Sequence, residues 1–319
     1  MAAPEAGTPD ASAKKRPVYQ DDEFWEDHKG CLVPLPWTLS LPQVDEFEAH
    51  DGDICVVSFP KSGTGWLSAV VLMIANDADA ACLHAGKPVQ VMVPMLEQVL
   101  PTEIQHPELR NIHKLKNMQG PRLYATHLSK DSLPKPVVEK AKVIYIYRNP
   151  KDVMVSMYHW LRGLRAVGFD RDIRYLVDEM VKPQGKIMYA PYFDNIAGYW
   201  KIRNQPNIFV CSYEQMRKNF HASVKELATF LGKELSDEQI QRICHECSFA
   251  EMQANPVTNR QERDHVVGVY DSQISPYIRK GAVGKWHDTM DEESSKKIDE
   301  WIQQNLSRPD LIDFGFEFE

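Results

Sequence analysis

A lysine, two small hydroxyl residues and two glycines stand together in Pro60-Lys61-Ser62-Gly63-Thr64-Gly65-Trp66, directly after an apolar run at 53–59 and before a helical pattern at 67–76. Glycines let a backbone fold closely round an anion, and the unpaired N–H groups and dipole of a following helix attract phosphate. Lys61 adds a movable positive charge. In the nucleoside triphosphate loop G-x-x-x-x-G-K-S/T the lysine follows the glycines. Here it precedes them, which makes the loop a candidate anion site of another kind; the plain alternative is a Gly-rich turn with a surface lysine.

Three more polar residues fall at the ends of apolar runs. His127 closes the run 122–127, Arg148 follows 142–147, and Tyr213 closes 207–213. A near-neutral imidazole can take a proton from an attacking hydroxyl, although a histidine after a strand is often only a hydrogen-bonded structural residue. A planar guanidinium can meet a phosphate through two N–H groups. Arg148-Asn149-Pro150-Lys151-Asp152 also reads as a solvated helix start, with Asp152 favourable in the first turn.

The elements that would gather these residues follow from the pattern. The four runs are apolar on both faces and rich in β-branched and aromatic residues, which suits strands buried on both sides of a parallel sheet. Val224, Leu227, Ala228 and Leu231 share one helix face that stops at Gly232. Ser236 with Gln239 is a capping-box signature, and Ile298, Trp301 and Ile302 stripe a last helix. Strand and helix alternate, so the expected fold is α/β, a single domain with a central, mostly parallel sheet flanked by helices. In such sheets ligands sit outside the carboxyl ends of the strands, where Lys61, His127, Arg148 and Tyr213 all arrive.

Composition narrows the function. A 319-residue chain with 43% hydrophobic and 26% charged residues can bury a sizeable core. A formal charge of −8 argues against a general nucleic-acid or anionic-membrane binder, so an anionic ligand must be held by a local basic cluster. Residues 1–16 lack apolar surface and are expected to form a mobile tail ahead of a domain at 17–319. No signal-peptide core and no run of membrane-spanning length occur, which points to the cytoplasm. The six cysteines form no paired framework. Cys244 and Cys247 make a C-x-x-C, read as helix packing because no second pair completes a zinc site.

Three segments then give the chain a family resemblance: FPKSGTGW at 59–66, YRNPKDVMVSMYHW at 147–160 and RKGAVGKW at 279–286. In this order and spread it resembles the cytosolic sulfotransferases. The resemblance implies a donor, 3′-phosphoadenosine 5′-phosphosulfate (PAPS), a product, adenosine 3′,5′-bisphosphate (PAP), no metal, and a P-loop-like phosphosulfate loop. It implies that Lys61, Ser62, Gly63, Thr64, Gly65 and Trp66 hold the 5′-phosphosulfate, with Lys61 on the bridging oxygen. Arg148, Ser156, Arg279, Lys280 and Gly281 would hold the 3′-phosphate, and Trp66, Phe249 and Tyr213 the adenine. His127 matches the catalytic base, and Ser156 would tether Lys61 between turnovers. Met95, His159, Leu164 and Val269, with His127, fall in segments expected to line the acceptor pocket.

The chain departs from the family pattern in five places. Ala125 stands where a lysine is usual, Cys247 where a threonine is common, and Lys285 replaces an aspartate. At 287–293 the short dimer-forming signature is not reproduced, so a homodimer is left open without support. Met95 replaces a typical aromatic, which suggests a broader pocket. With no obvious acidic residue to meet an amine, the expected acceptor is a neutral phenol or alcohol. A nucleoside or nucleotide kinase and a non-catalytic binder of 3′-phosphoadenosine nucleotides are the alternatives; the lysine-first loop and the missing magnesium carboxylate weigh against the first, and the presence of both Lys61 and His127 against the second.

Overall fold

Two short strands, β1 (Trp25–His28) and β2 (Cys31–Pro34), pair antiparallel ahead of the four apolar runs, which become β3 (Ile54–Ser58), β4 (Leu123–Thr126), β5 (Lys142–Tyr147) and β6 (Ile208–Ser212). The computed structural model describes residues 19–100, 103–259, 270–279 and 281–316. The expected tail at 1–16, together with Val269 and Lys280, lies outside them. All three neighbouring pairs in the larger sheet are parallel, in the order β4-β3-β5-β6. The chain therefore leaves β3 in one direction to form β4 and returns past it to form β5. That reversal opens a crevice at the carboxyl ends of the central strands, the usual ligand position in open α/β sheets.

Both faces of the sheet are buried, which explains why the strands read as unbroken apolar runs. Successive side chains point to opposite faces. Cys55, Val57, Tyr124, Val143 and Tyr145 enter one core, while Val56, Ala125, Ile144 and Ile146 enter the other. At the opposite, amino end of the sheet, Asp53 and Arg122 form a buried ion pair, 0% and 1% exposed. The Arg122 guanidinium also donates to Leu115 O and Glu48 O and lies 4.6 Å over the Phe47 ring. One end of the sheet is thus pinned by side chains, and the other is free to bind.

The helices follow the local signals. Helix Thr64–Ala75 buries every residue from 67 to 74, as a helix between a sheet and surrounding helices must. Helix Phe220–Leu231 ends at Gly232 with φ 76°, and Ser236 and Gln239 make the reciprocal capping box. The last helix, Glu292–Leu306, buries Ile298 and Ile302. Cys244 lies in helix Asp237–Glu246 and Cys247 caps it; both are free thiols. The β1–β2 hairpin has no sequence expectation behind it. It docks through Leu32 N–H to Ala190 O at 3.0 Å and Tyr189 N–H to Leu32 O at 2.7 Å, which fixes Tyr189 beside the crevice.

Candidate active site

The loop after β3 turns into helix Thr64–Ala75 through Gly63, whose φ is 115°. A Cβ there would lie 2.7 Å from Tyr213 Cδ2, so both the conformation and the space require glycine. No side chain caps this helix end, and the first helical N–H groups lack intrahelical acceptors by geometry. Ser62 is buried, and its Oγ has no hydrogen-bond partner among the described residues. Lys61 itself sits at φ 70°, a left-handed conformation unusual for a side chain larger than glycine. Its ammonium lies 4.9 Å from the Tyr277 ring centroid and 5.2 Å from that of Trp160. The loop thus offers open amides, an unpaired hydroxyl and a cation at one point.

Arg148 follows β5 and is only 8% exposed. Its Nη1 reaches Lys61 O at 3.4 Å and its Nη2 reaches Ala282 O at 3.1 Å, while Nε has no partner among the described residues. The guanidinium lies 4.3 Å over the Tyr213 ring, and Asp152 stands 3.7 Å from Nη2. Arg279 is close enough that burial and the neighbouring Arg148 charge pull its guanidinium below its ordinary pKa. Two gathered cations with unused donors form a site for a multiply charged anion. Gly281, at φ 55°, passes so close to Phe249 that a Cβ would strike the ring, and Tyr213 Oη donates to Gly281 O at 3.1 Å. The orphaned Ser62 Oγ and Arg148 Nε, with the cradle at Gly281, fit the two phosphate ends of a 3′-phosphoadenosine nucleotide.

Trp66 occupies the first turn of the same helix and donates through Nε1 to Cys247 O at 2.9 Å, which fixes its ring near Tyr213 and Phe220. The Cys247 side chain is buried, so a main-chain oxygen orients the ring. Phe249 begins the next helix, capped by Ser248.

His127 follows β4. Its Nδ1 lies 2.8 Å from Ser58 O, and a carbonyl can only accept, so Nδ1 carries the proton and Nε2 is left with a free lone pair. Burial, with the Lys61 charge as a further cause, lowers the imidazole pKa to about 4, which keeps it neutral at physiological pH with its Nε2 lone pair uncommitted. Beneath it the buried Glu97 carboxylate accepts from His127 N–H at 2.9 Å and Thr126 Oγ1 at 2.9 Å, and also from the Tyr189 hydroxyl; burial raises its pKa. Glu97 thereby anchors the main chain of His127 and the ring of Tyr189, which meets His127 edge-on at 5.2 Å.

One cavity of about 240 Å³ runs past all of these groups. Its wall includes Lys61, Gly63, Thr64, Gly65, Trp66, Met95, His127, Arg148, Ser156, Tyr213, Phe249, Arg279 and Gly281, all expected from sequence. Ser62, also expected there, is fully buried and does not border the cavity. His159 and Leu164 do not border it: His159 Nε2 stands 3.4 Å from Thr289 Oγ1, and Leu164 is buried against the bridge it makes with Tyr270. Lys130 pairs with Asp131 at 2.7 Å and is not part of the wall, so it does not replace the lysine that Ala125 lacks. The wall also includes Trp37, Trp160, Met188, Tyr189, Arg217, Tyr277 and Lys285, which sequence reasoning missed. Two had a visible signal: Trp160 follows Ser156, and Arg217 follows Tyr213, by one helical turn. Trp37, which opens the short 3-10 helix Trp37–Ser40, and Tyr189, in a turn, had none.

The pattern of the family described as Sulfotransferase domain matches residues 51–309, so the chain belongs to the sulfotransferase family. Sulfotransferase 1B1 of Mus musculus is 32% identical over 281 residues, covering 87% of this chain and 90% of the relative. Luciferin sulfotransferase of Photinus pyralis is 32% identical over 289 residues, covering 85% and 76%. Among solved structures, retinol dehydratase in complex with androsterone and PAP superposes with a TM-score of 0.79 at 25% identity, covering 88% of each chain. Mouse sulfotransferase SULT7A1 complexed with PAP gives 0.70 at 27% identity, covering 90% and 96%. Among the described residues no helix is long and apolar enough to cross a membrane, and no three His, Cys, Asp or Glu side chains are grouped to hold a metal ion.

Proposed function

We propose that the protein transfers the sulfonate of PAPS to the hydroxyl of a small, largely apolar acceptor, a phenol or alcohol, and releases PAP. The observation that carries this reading is the meeting, in one cavity, of a histidine with its Nε2 lone pair free and the Lys61, Arg148 and Arg279 cations. When bound, the donor supplies an activated sulfonate and a leaving phosphate. Everything else falls to the chain. Ser62, Thr64 and the amides after Gly63 hold the 5′ end, Arg148 and Arg279 hold the 3′-phosphate, and Trp66 and Phe249 flank the base. His127 accepts the acceptor hydroxyl's proton at Nε2 while Ser58 O holds Nδ1–H and fixes the ring. Lys61 swings from its place over Tyr277 and Trp160 to neutralise charge at the leaving oxygen, and Ser156, one turn before Trp160, guides it back.

A hydroxyl acceptor is favoured over an amine because the one carboxylate among the described wall residues, Asp152, is turned to Arg148 and to the N–H of Gly284 at 2.9 Å. Trp37, Met95 and Tyr189 offer an apolar surface instead. The six free thiols support a cytoplasmic location. Incubation with PAPS and a panel of phenols, alcohols and amines, with ATP as the competing donor, tests the assignment. Acceptor-dependent release of PAP is expected. Tight PAPS binding with no such release from any acceptor overturns it in favour of a non-catalytic binder, and turnover with ATP in favour of a kinase.

A further inference from the structure

The cavity wall carries a polar side chain, Gln90, that the transfer reaction does not use. Gln90 lies in the short helix Val89–Met92, between Val89 and Val93, and all three residues border the cavity. Val89 and Val93 are buried, as is the Gln90 Oε1 atom, which has no hydrogen-bond partner among the described residues. A buried carbonyl oxygen without a donor is costly, and natural proteins satisfy the great majority of such atoms with protein, water or ligand. Its sequence neighbours on the wall are apolar: Val89, Val93 and Met95 form this stretch, and Met95 bridges to Ala125, two residues before His127. Continuing back along the chain from Met95, the wall stays apolar until it reaches Gln90.

Resting on the sulfotransferase reading above, we propose that Gln90 recognises a second polar group on the acceptor. The acceptor class is then an elongated, mostly apolar phenol or alcohol that carries a hydrogen-bond donor, such as another hydroxyl or an N–H, remote from the hydroxyl presented to His127. The apolar wall binds the body of the molecule. The Gln90 oxygen sets its register and end-to-end orientation, so that only one of two hydroxyls reaches the Nε2 lone pair. Specificity of this kind is asymmetric. A site built to receive a donor rejects an analogue that lacks it far more strongly than an apolar wall rejects a missing methylene. With Ala125 and Met95 widening the reacting end, a remote anchor supplies the orientation that closer side chains do not.

The test compares matched acceptors: para-alkylphenols against para-(hydroxyalkyl)phenols over a ladder of chain lengths, assayed for kcat/KM with PAPS. Wild-type enzyme should prefer the hydroxyalkyl member at one chain length by at least about tenfold. Gln90→Leu and the near-isosteric Gln90→Met should abolish that preference while still binding PAP, which reports on folding separately from the acceptor. Turnover of both series by the wild type with no preference at any length, or a preference that survives both substitutions, overturns the role of Gln90 alone. Absence of turnover by the wild type on every member, with PAPS bound, overturns the sulfotransferase reading and this inference together.

Discussion

Arg148 permits the sharpest separation of donor recognition from fold. Its guanidinium makes two long contacts to main-chain oxygens, at 3.4 and 3.1 Å, and leaves Nε without an acceptor among the described residues. A 3′-phosphate supplies that acceptor and an opposite charge, and each charge-assisted hydrogen bond is worth about 1.5–3 kcal/mol. Replacing the side chain by methionine keeps most of its length over the Tyr213 ring and removes the donors. The loss for a 3′-phosphorylated ligand should be about 3 kcal/mol, roughly a hundredfold in Kd. Adenosine 5′-phosphosulfate, which lacks the 3′ group, should weaken by less than about threefold, because the loop at 61–66 is intact. Arg148→Lys, which keeps charge but loses the fork, should fall between. Calorimetric titration of PAP and adenosine 5′-phosphosulfate into the three proteins gives the comparison. Equal losses for the two ligands would refute the placement of the 3′-phosphate at Arg148, and with it the pairing to Arg279.

Three other outcomes follow from the same geometry. Gly281→Ala should weaken PAP at least about tenfold, because a Cβ at φ 55° meets the Phe249 ring; a Kd within error of wild type would show that the strap at 281 moves freely. Arg122→Met should destabilise the fold by about 3–5 kcal/mol, since it leaves the buried Asp53 charge without its guanidinium, and adding Asp53→Asn, which removes the charge and keeps an acceptor for the His50 and Arg122 N–H groups, should recover part of it; urea melts of the single and double variants decide this. For His127, whose pKa is lowered to about 4, protonation removes the base, so the donor-free imidazole should titrate near pH 4 and remain neutral at pH 6. An NMR titration midpoint above 6 in the donor-free protein would contradict its buried, Ser58-bonded setting.

Much of the architecture was legible because local signals and tertiary demands coincide. The four parallel strands are buried on both faces, and only unbroken apolar runs can fill that position, so 53–59, 122–127, 142–147 and 207–213 contain β3 to β6 with ends shifted by at most a residue or so. Gly232 and the Ser236–Gln239 box are chemical requirements of helix ends. Lys61, His127, Arg148 and Tyr213 were legible at the candidate site for the same reason: each stands at or just past the end of a strand. The acceptor side was not. Trp37, on a single 3-10 turn, and Met188 and Tyr189, in a turn that β1–β2 docks against, reach the cavity from segments too short to carry a readable periodicity. His159, downstream of Ser156, and Leu164, in a segment expected to line the acceptor pocket, were both placed at the cavity from sequence. The helix Pro150–Gly163 instead presents Ser156 and Trp160 to the cavity and His159 toward Thr289, a difference of one residue in helical phase. Glu97 could not be singled out, since its role depends on donors distant from it in sequence, the adjacent Thr126 and His127 and the hydroxyl of Tyr189.

The central claim is that His127, with Nε2 left bare by the Nδ1–Ser58 bond, is the base of a sulfonate transfer supported by the cations around the loop at Lys61. The most direct measurement is transfer of radiolabelled sulfonate from PAPS to a phenol by the wild type and by His127→Ala, with PAP affinity measured on both. Transfer by the wild type, a loss of at least about a hundredfold in the variant and PAP affinity within about twofold is the predicted result. Undiminished transfer by His127→Ala would contradict the account.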